Sequence, residues 1–81
     1  MTRHERLLET VRRRLTELEM RIDGLADRLA PRRLADLRAE LDVVREQYRA
    51  ALAAGVDLPD ERALALGHAL ERLARRVTAA A

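Results

Sequence analysis

The 81 residues suffice for one small domain, which on folding buries only a little over ~60% of the surface that its unfolded chain exposes. Ala, Leu, Glu and Arg supply 54 of the positions and Tyr is the single aromatic residue, a composition typical of long helices and unlike that of a sheet protein. The absence of cysteine excludes disulfides, thiolate catalysis and cysteine-bound zinc, and the net charge of +2 does not indicate a strongly basic protein.

A first helix is predicted over residues 3–29. Thr2 followed by Glu5 forms a capping box, in which each side chain satisfies a free amide of the first turn. Aliphatic residues then recur in alternating steps of three and four, as a and d positions of a heptad seam: Leu8, Val11, Leu15, Leu18, Ile22, Leu25 and Leu29. Gly24 lies off this seam, and its cost of up to ~1 kcal/mol is too small to end so regular a helix.

Pro31 predicts a turn between the first two helices, because proline disfavours helical geometry at the preceding residue and lacks an amide donor. The step from Leu29 to Leu34 also rotates the next leucine stripe by about 140°. The alternative is a long helix kinked at Pro31, since the stretch LAPRR contains neither glycine nor a good capping side chain.

Two further helices are predicted over residues 32–54 and 58–78. Their seams are Leu34, Leu37, Leu41, Val44, Tyr48 and Ala51, and then Ala63, Leu66, Leu70, Leu73 and Val77. Gly55 suits a left-handed residue after the second helix, with Val56 folding back onto its last turn. Asp57 can cap the third helix, and Pro59 suits its first turn.

The chain is therefore predicted to be all-α, with residues 1–81 forming a single helical domain. Three helices of these lengths suit an antiparallel bundle, or an extended coiled-coil-like hairpin with a packed third helix. We expect an oligomer, because so short a chain is marginally stable alone. No apolar run reaches the ~18 residues of a membrane span or resembles a signal peptide, so we expect a cytoplasmic protein. The Arg-rich, Lys-free composition is typical of a bacterial GC-rich genome.

The arginines are interleaved with acids along the whole chain. Residues 1–30, 31–54 and 55–81 carry net charges of +1, +1 and 0. The triplet Arg12, Arg13 and Arg14 flanks the seam or lies opposite to it, which predicts a solvated face. The candidate contacts for nucleic acid or an anionic surface are Arg14, Arg21, Arg28, Arg32 and Arg33. Without Asn or Ser to contact bases, nucleic acid is the less favoured partner.

The sequence contains no recognisable catalytic, cofactor-binding or metal-binding constellation, and we predict no cofactor. His4 and His68 are the only side chains whose ordinary pKa is near neutrality. His68 precedes Glu71 by three residues, the reverse of the Glu-x-x-His order of di-metal bundles. Because the seams are aliphatic apart from Ala and Tyr, they leave no polar cavity for an active site. An enzyme with a site between subunits is the remaining catalytic alternative.

Several apolar residues lie where the heptad pattern predicts solvent. The possible interaction surface comprises Met20, Ala39, Val43, Ala50 and Leu64. A face of small side chains on the second helix permits close approach of another helix. We therefore predict a small helical interaction or adaptor module that self-associates through its aliphatic heptad seams. A homodimer is the favoured partner state, and a helical segment of another protein is a further possible partner.

Overall fold

Three helices make up almost all of the chain. The computed structural model describes residues 2–81, in which α1 spans Arg3–Gly24, α2 spans Pro31–Ala54 and α3 spans Asp60–Ala80. A single 3₁₀ turn, Gly55–Asp57, links α2 to α3, and residues 2–81 contain no strand. Each helix packs against the other two, in a molecule of 41 × 19 × 17 Å. The prediction of an all-helical fold is confirmed.

No helix within residues 2–81 combines the length and the apolar character that crossing a membrane would require.

One core runs between the three helices, and the predicted seams build it. Its buried seam residues are Leu8, Val11, Leu15, Leu18, Ile22, Leu25, Leu37, Leu41, Val44, Ala51, Ala63, Leu66, Leu70, Leu73 and Val77. Leu29, Leu34 and Tyr48 pack against this core as half-buried residues. No polar or charged residue in the described part of the chain belongs to the buried set. The seams thus close on one another within a single chain.

The ends of α1 show one confirmed and one corrected prediction. Thr2 Oγ1 accepts a hydrogen bond from the Glu5 amide at 3.1 Å, so the threonine half of the predicted capping box begins the helix. The helix ends at Gly24 rather than at residue 29. The Leu25 amide donates to the Ile22 carbonyl at 3.0 Å and the Arg28 amide to the Leu25 carbonyl at 2.9 Å, so the chain tightens into i→i+3 turns after the glycine. Leu25 nevertheless stays buried.

The chain turns before Pro31, and the alternative of one long kinked helix is wrong. Pro31 is the first residue of α2, and Ala30 before it is extended, with φ −58° and ψ 143°. Proline imposes both features, because it restricts its own φ to helical values and excludes helical geometry from the preceding residue. The Leu34 amide donates to the Ala30 carbonyl at 3.1 Å and closes the first turn.

The connection between α2 and α3 buries a different apolar residue from the one that the sequence predicted. Gly55 has the positive φ expected of a left-handed residue, 56°, but its ψ of −126° lies outside the left-handed helical region, so that part of the prediction is wrong. Val56 does not fold back, being 92% exposed, whereas Leu58 is only 4% exposed. The 3₁₀ turn, in which the Leu58 amide donates to the Gly55 carbonyl at 3.2 Å, carries Leu58 into the core. Helix α3 therefore starts at Asp60 without a side-chain cap, so the predicted cap from Asp57 is wrong.

The assigned core leads to a test with leucine truncations. Leu73 is fully buried, so Leu73→Ala should lower the free energy of unfolding by about 2–5 kcal/mol through lost burial and a residual cavity. Leu52→Ala removes the same atoms from a side chain that is 49% exposed and should cost less than about 1 kcal/mol. Urea unfolding followed by circular dichroism at one protein concentration measures both. Equal losses would contradict this core.

Candidate interaction surfaces

A groove of about 430 Å³ runs between α1 and α3, and we call it the α1–α3 groove. Its apolar lining consists of Leu7, Val11, Ala63, Leu64, Gly67 and Leu70. Leu7 is half-buried, whereas Leu64 is 62% exposed at the rim. The groove is therefore an apolar depression that the chain's own side chains leave open.

Charged side chains form the rims of the α1–α3 groove and join its two helices. His4 Nε2 and Asp60 Oδ1 are 2.9 Å apart, and Arg3 Nη2 lies 3.9 Å from the same carboxylate oxygen. Arg14 forms an ion pair with Glu71 further along. The α1 rim thus supplies two arginines and a histidine, while the α3 rim supplies two carboxylates and His68.

Gly67 has no side chain to fill its part of this groove, and the structure of the chain around it does not require a glycine. It lies in the interior of α3, where glycine is a poor helix former. Its φ is not positive, and a Cβ placed on it would meet no atom within 4 Å. Neither the backbone nor the packing of this chain therefore requires a glycine at this position.

A second groove lies between α2 and α3, and we call it the α2–α3 groove. It comprises a recess of about 350 Å³ and another of about 250 Å³ that share Gln47. Ala39 and Val43 line the first recess with Ala69, and Ala50 lines the second with Ala65. The structure therefore brings the predicted small-residue face of α2 beside alanines of α3.

One carboxylate in the α2–α3 groove is incompletely satisfied. Glu40 Oε1 accepts a hydrogen bond from Arg76 Nη1 at 2.7 Å. Glu40 Oε2 is buried and has no hydrogen-bond partner among the described residues. A buried carboxylate oxygen without a donor is unfavourable, so Glu40 depends on Arg76 for its stabilisation.

The five predicted interaction residues lie on three separate surfaces. Ala39, Val43 and Ala50 line the α2–α3 groove, and Leu64 lines the α1–α3 groove. Met20 is 69% exposed and is not among the residues of either groove. Because it lies two residues from both Leu18 and Ile22, which are buried, it points to the opposite side of α1.

The arginine triplet lies outside the core, with Arg12 and Arg13 exposed and Arg14 half-buried at the α1–α3 groove. Arg12 Nη2 is 2.5 Å from Glu9 Oε1, and this hydrogen bond and the arginine's charge lower the pKa of Glu9 below its ordinary value. Arg13 is exposed, and Arg14 is engaged by Glu71. These pairs are those of a charged helix surface and contribute little to stability.

The predicted anion contacts do not form one surface. Arg14 pairs with Glu71, and Arg21 Nη2 donates to Thr78 Oγ1 at 3.3 Å. Arg28, Arg32 and Arg33 are exposed near the α1–α2 connection, and the ion pairs within residues 2–81 do not include them. Two of the five arginines are thus held against α3, and three are accessible to solvent.

Sequence reasoning missed that both histidines line the α1–α3 groove. The order of the helices along the chain could have indicated this. The first and third helices of a three-helix bundle can start at the same end, which brings His4 close to Asp60. Within residues 2–81, no group of three or more His, Asp or Glu side chains is arranged to hold a metal ion.

Comparison of the chain with protein-family models, with curated proteins and with solved structures gave no significant match.

The Glu40–Arg76 pair can be tested by truncation. Arg76→Ala should lower the free energy of unfolding by about 1–2 kcal/mol, because the half-buried Glu40 carboxylate loses its cation. Arg49→Ala removes an exposed partner of Glu46 and should cost less than about 0.5 kcal/mol. Adding Glu40→Gln to Arg76→Ala should recover part of the loss. Denaturant unfolding measures all three variants, and no recovery would contradict the assigned cause.

Proposed function

We propose that this protein is a small helical protein–protein interaction module that self-associates, with a dimer as the favoured state. The observation that carries the proposal is the position of the apolar side chains that the core does not use. Val43 is 58% exposed and Leu64 is 62% exposed, and each lies beside a groove along α3. Exposed apolar side chains next to a concave apolar surface are typical of binding sites.

The proposed self-association uses the grooves rather than the heptad seams that the sequence indicated. The seam side chains are buried inside one chain, so they are available to a second chain only if the core opens. The grooves allow association without unfolding. We propose a binding role rather than a catalytic one.

We further propose that consecutive helices run antiparallel. Support comes from the order of the ion pairs between helices. Arg38 pairs with Asp23, whereas Arg45, later in α2, pairs with Glu19, earlier in α1. Such reversed order is expected for helices joined by a short turn.

The α2–α3 groove is the surface that we propose for a helical segment of another protein. Its alanines permit a close approach of a second helix, because the distance between packed helices depends on the side chains at the contact. An amphipathic helix is thus the partner that this groove fits.

Self-association predicts a mass that depends on concentration. In sedimentation equilibrium, the apparent mass should rise from that of the 9.2 kDa chain towards twice that value as the protein is concentrated. The thermal unfolding midpoint should rise over the same range, from about 1 to about 100 µM, because association stabilises the folded state by mass action. A constant monomer mass across this range would contradict the proposal.

The competing function is binding of nucleic acid or an anionic surface. The observation that favours it is the exposure of Arg28, Arg32 and Arg33 near one connection. If these arginines bind phosphates, heparin should retain the protein at low salt and release it steeply as salt rises. The interaction-module proposal instead expects weak retention, and the Arg28→Gln, Arg32→Gln, Arg33→Gln triple variant should elute almost with the parent protein. A large difference between the two would favour the arginine-based function.

A further inference from the structure

We infer that the α1–α3 groove is the dimer interface, and that a second copy of this chain covers it with its own α1–α3 groove about a twofold axis running along the helices. This inference rests on the proposed self-association. It adds the surface, the symmetry and the contacts between the copies.

The side-chain pairs across the groove fix which residues lie at the same height. His4 meets Asp60, 56 positions later, while Arg14 meets Glu71 and Arg21 meets Thr78, each 57 positions later. A constant separation means that each α1 residue is level with the α3 residue about 57 positions further on. Leu7 is therefore level with Leu64, and Thr10 is level with Gly67.

The charges of the rims are complementary to a second copy. The α1 rim carries Arg3, His4 and Arg14, and the α3 rim carries Asp60, His68 and Glu71. A twofold axis along the groove lays the α1 rim of each copy over the α3 rim of the other at the same height. Arg14 of one copy then approaches Glu71 of the other, and Arg3 approaches Asp60, so opposite charges meet at both ends of the groove. An axis across the groove would instead place one basic rim against the other.

The apolar residues fit the same arrangement. With the axis along the groove, Leu64 of each copy faces Leu7 of the other, and four leucines come together at one level. The empty space over Gly67 lies one turn further along α3. This space provides room for apolar side chains of the second copy. The dimer thus explains a glycine that the packing of its own chain does not require.

The size of the face formed by α1 and α3 predicts a weak dimer. The groove extends along α1 from Arg3 to Arg14, and the face continues to the Arg21–Thr78 pair. At about 1.5 Å per residue, the stretch from Arg3 to Arg21 runs about 27 Å. With the 19 Å width of the molecule, the face offers roughly 500 Å² per copy, or about 1,000 Å² in total. This area is near the lower limit for a specific interface, so we expect dissociation in the micromolar range rather than an obligate dimer.

Glutamine substitutions in matched pairs test the surface. Leu64→Gln and Gly67→Gln should each raise the dimer dissociation constant by about tenfold or more, because they place a polar side chain in the interface. The controls are Val43→Gln, which has similar exposure on the other groove, and Gly24→Gln, at another glycine with open space. Each control should change the constant by less than about threefold. Because glutamine is a better helix former than glycine, Gly67→Gln should also unfold at a higher temperature than the parent when both are diluted to monomer.

These outcomes separate the inference from the proposal beneath it. If the parent protein dimerises and Val43→Gln weakens the dimer while Leu64→Gln and Gly67→Gln do not, the assigned groove is wrong but self-association stands. If the parent remains a monomer up to about 100 µM, the proposed self-association itself fails. Loss of association together with a lower unfolding temperature for Gly67→Gln would also contradict the inference, because the substitution would then act on the fold.

Cysteine cross-linking tests the symmetry, since the natural chain has no cysteine. Leu7→Cys and Leu64→Cys are made in separate chains, mixed, and oxidised with copper phenanthroline. Mass spectrometry should show disulfides predominantly between position 7 of one chain and position 64 of the other. Val43→Cys chains should cross-link much less. Predominant 7-to-7 linkage would indicate an axis across the groove, and predominant 43-to-43 linkage would indicate the other groove; either result would overturn the inference.

Discussion

Burial of aliphatic side chains in one core between the helices is the constraint on which the rest of this structure depends. The core excludes every polar and charged residue from the buried set of residues 2–81, so all charge chemistry lies on the surface. With Ala, Leu, Ile and Val supplying the core, its cohesion comes from removal of apolar area from water and from close packing. Charged side chains then influence which edges of the helices face each other. They contribute less to the free energy of unfolding than the core does.

The same core sets the position of α3 along α1. This position determines which side chains face each other across the α1–α3 groove. Once Leu66, Leu70 and Leu73 are buried, the separation of about 57 positions places Asp60 beside His4 and Glu71 beside Arg14. Leu64 then remains outside, because it is two residues from Leu66 and a helix rotates by about 200° over that distance. The exposed leucine is thus a consequence of the helical period combined with the buried face.

The arginines take two different roles in this arrangement. Some hold neighbouring helices together, as Arg45 does with Glu19 at 2.9 Å and Arg76 with Glu40 at 2.7 Å. Others pair only with acids of their own helix, as Arg12 does with Glu9. Because acids accompany arginines in all three helices, the surface is nearly neutral despite a sequence pI of about 10.3. A binding surface for a second protein therefore depends mainly on shape and apolar area.

By itself the sequence determined the helices and their buried faces, because the signals for both act over a few residues. These signals are the three-four spacing of aliphatic residues and the helix-boundary residues Thr2, Pro31 and Gly55. It also marked Ala39, Val43 and Leu64 as apolar positions outside the seams. Tertiary structure alone decided that Leu58 rather than Val56 is buried, that His4 meets Asp60, and that Leu64 and Val43 belong to different grooves. These outcomes depend on how far each helix slides and turns against its neighbours, and side chains distant in sequence set that relation through packing.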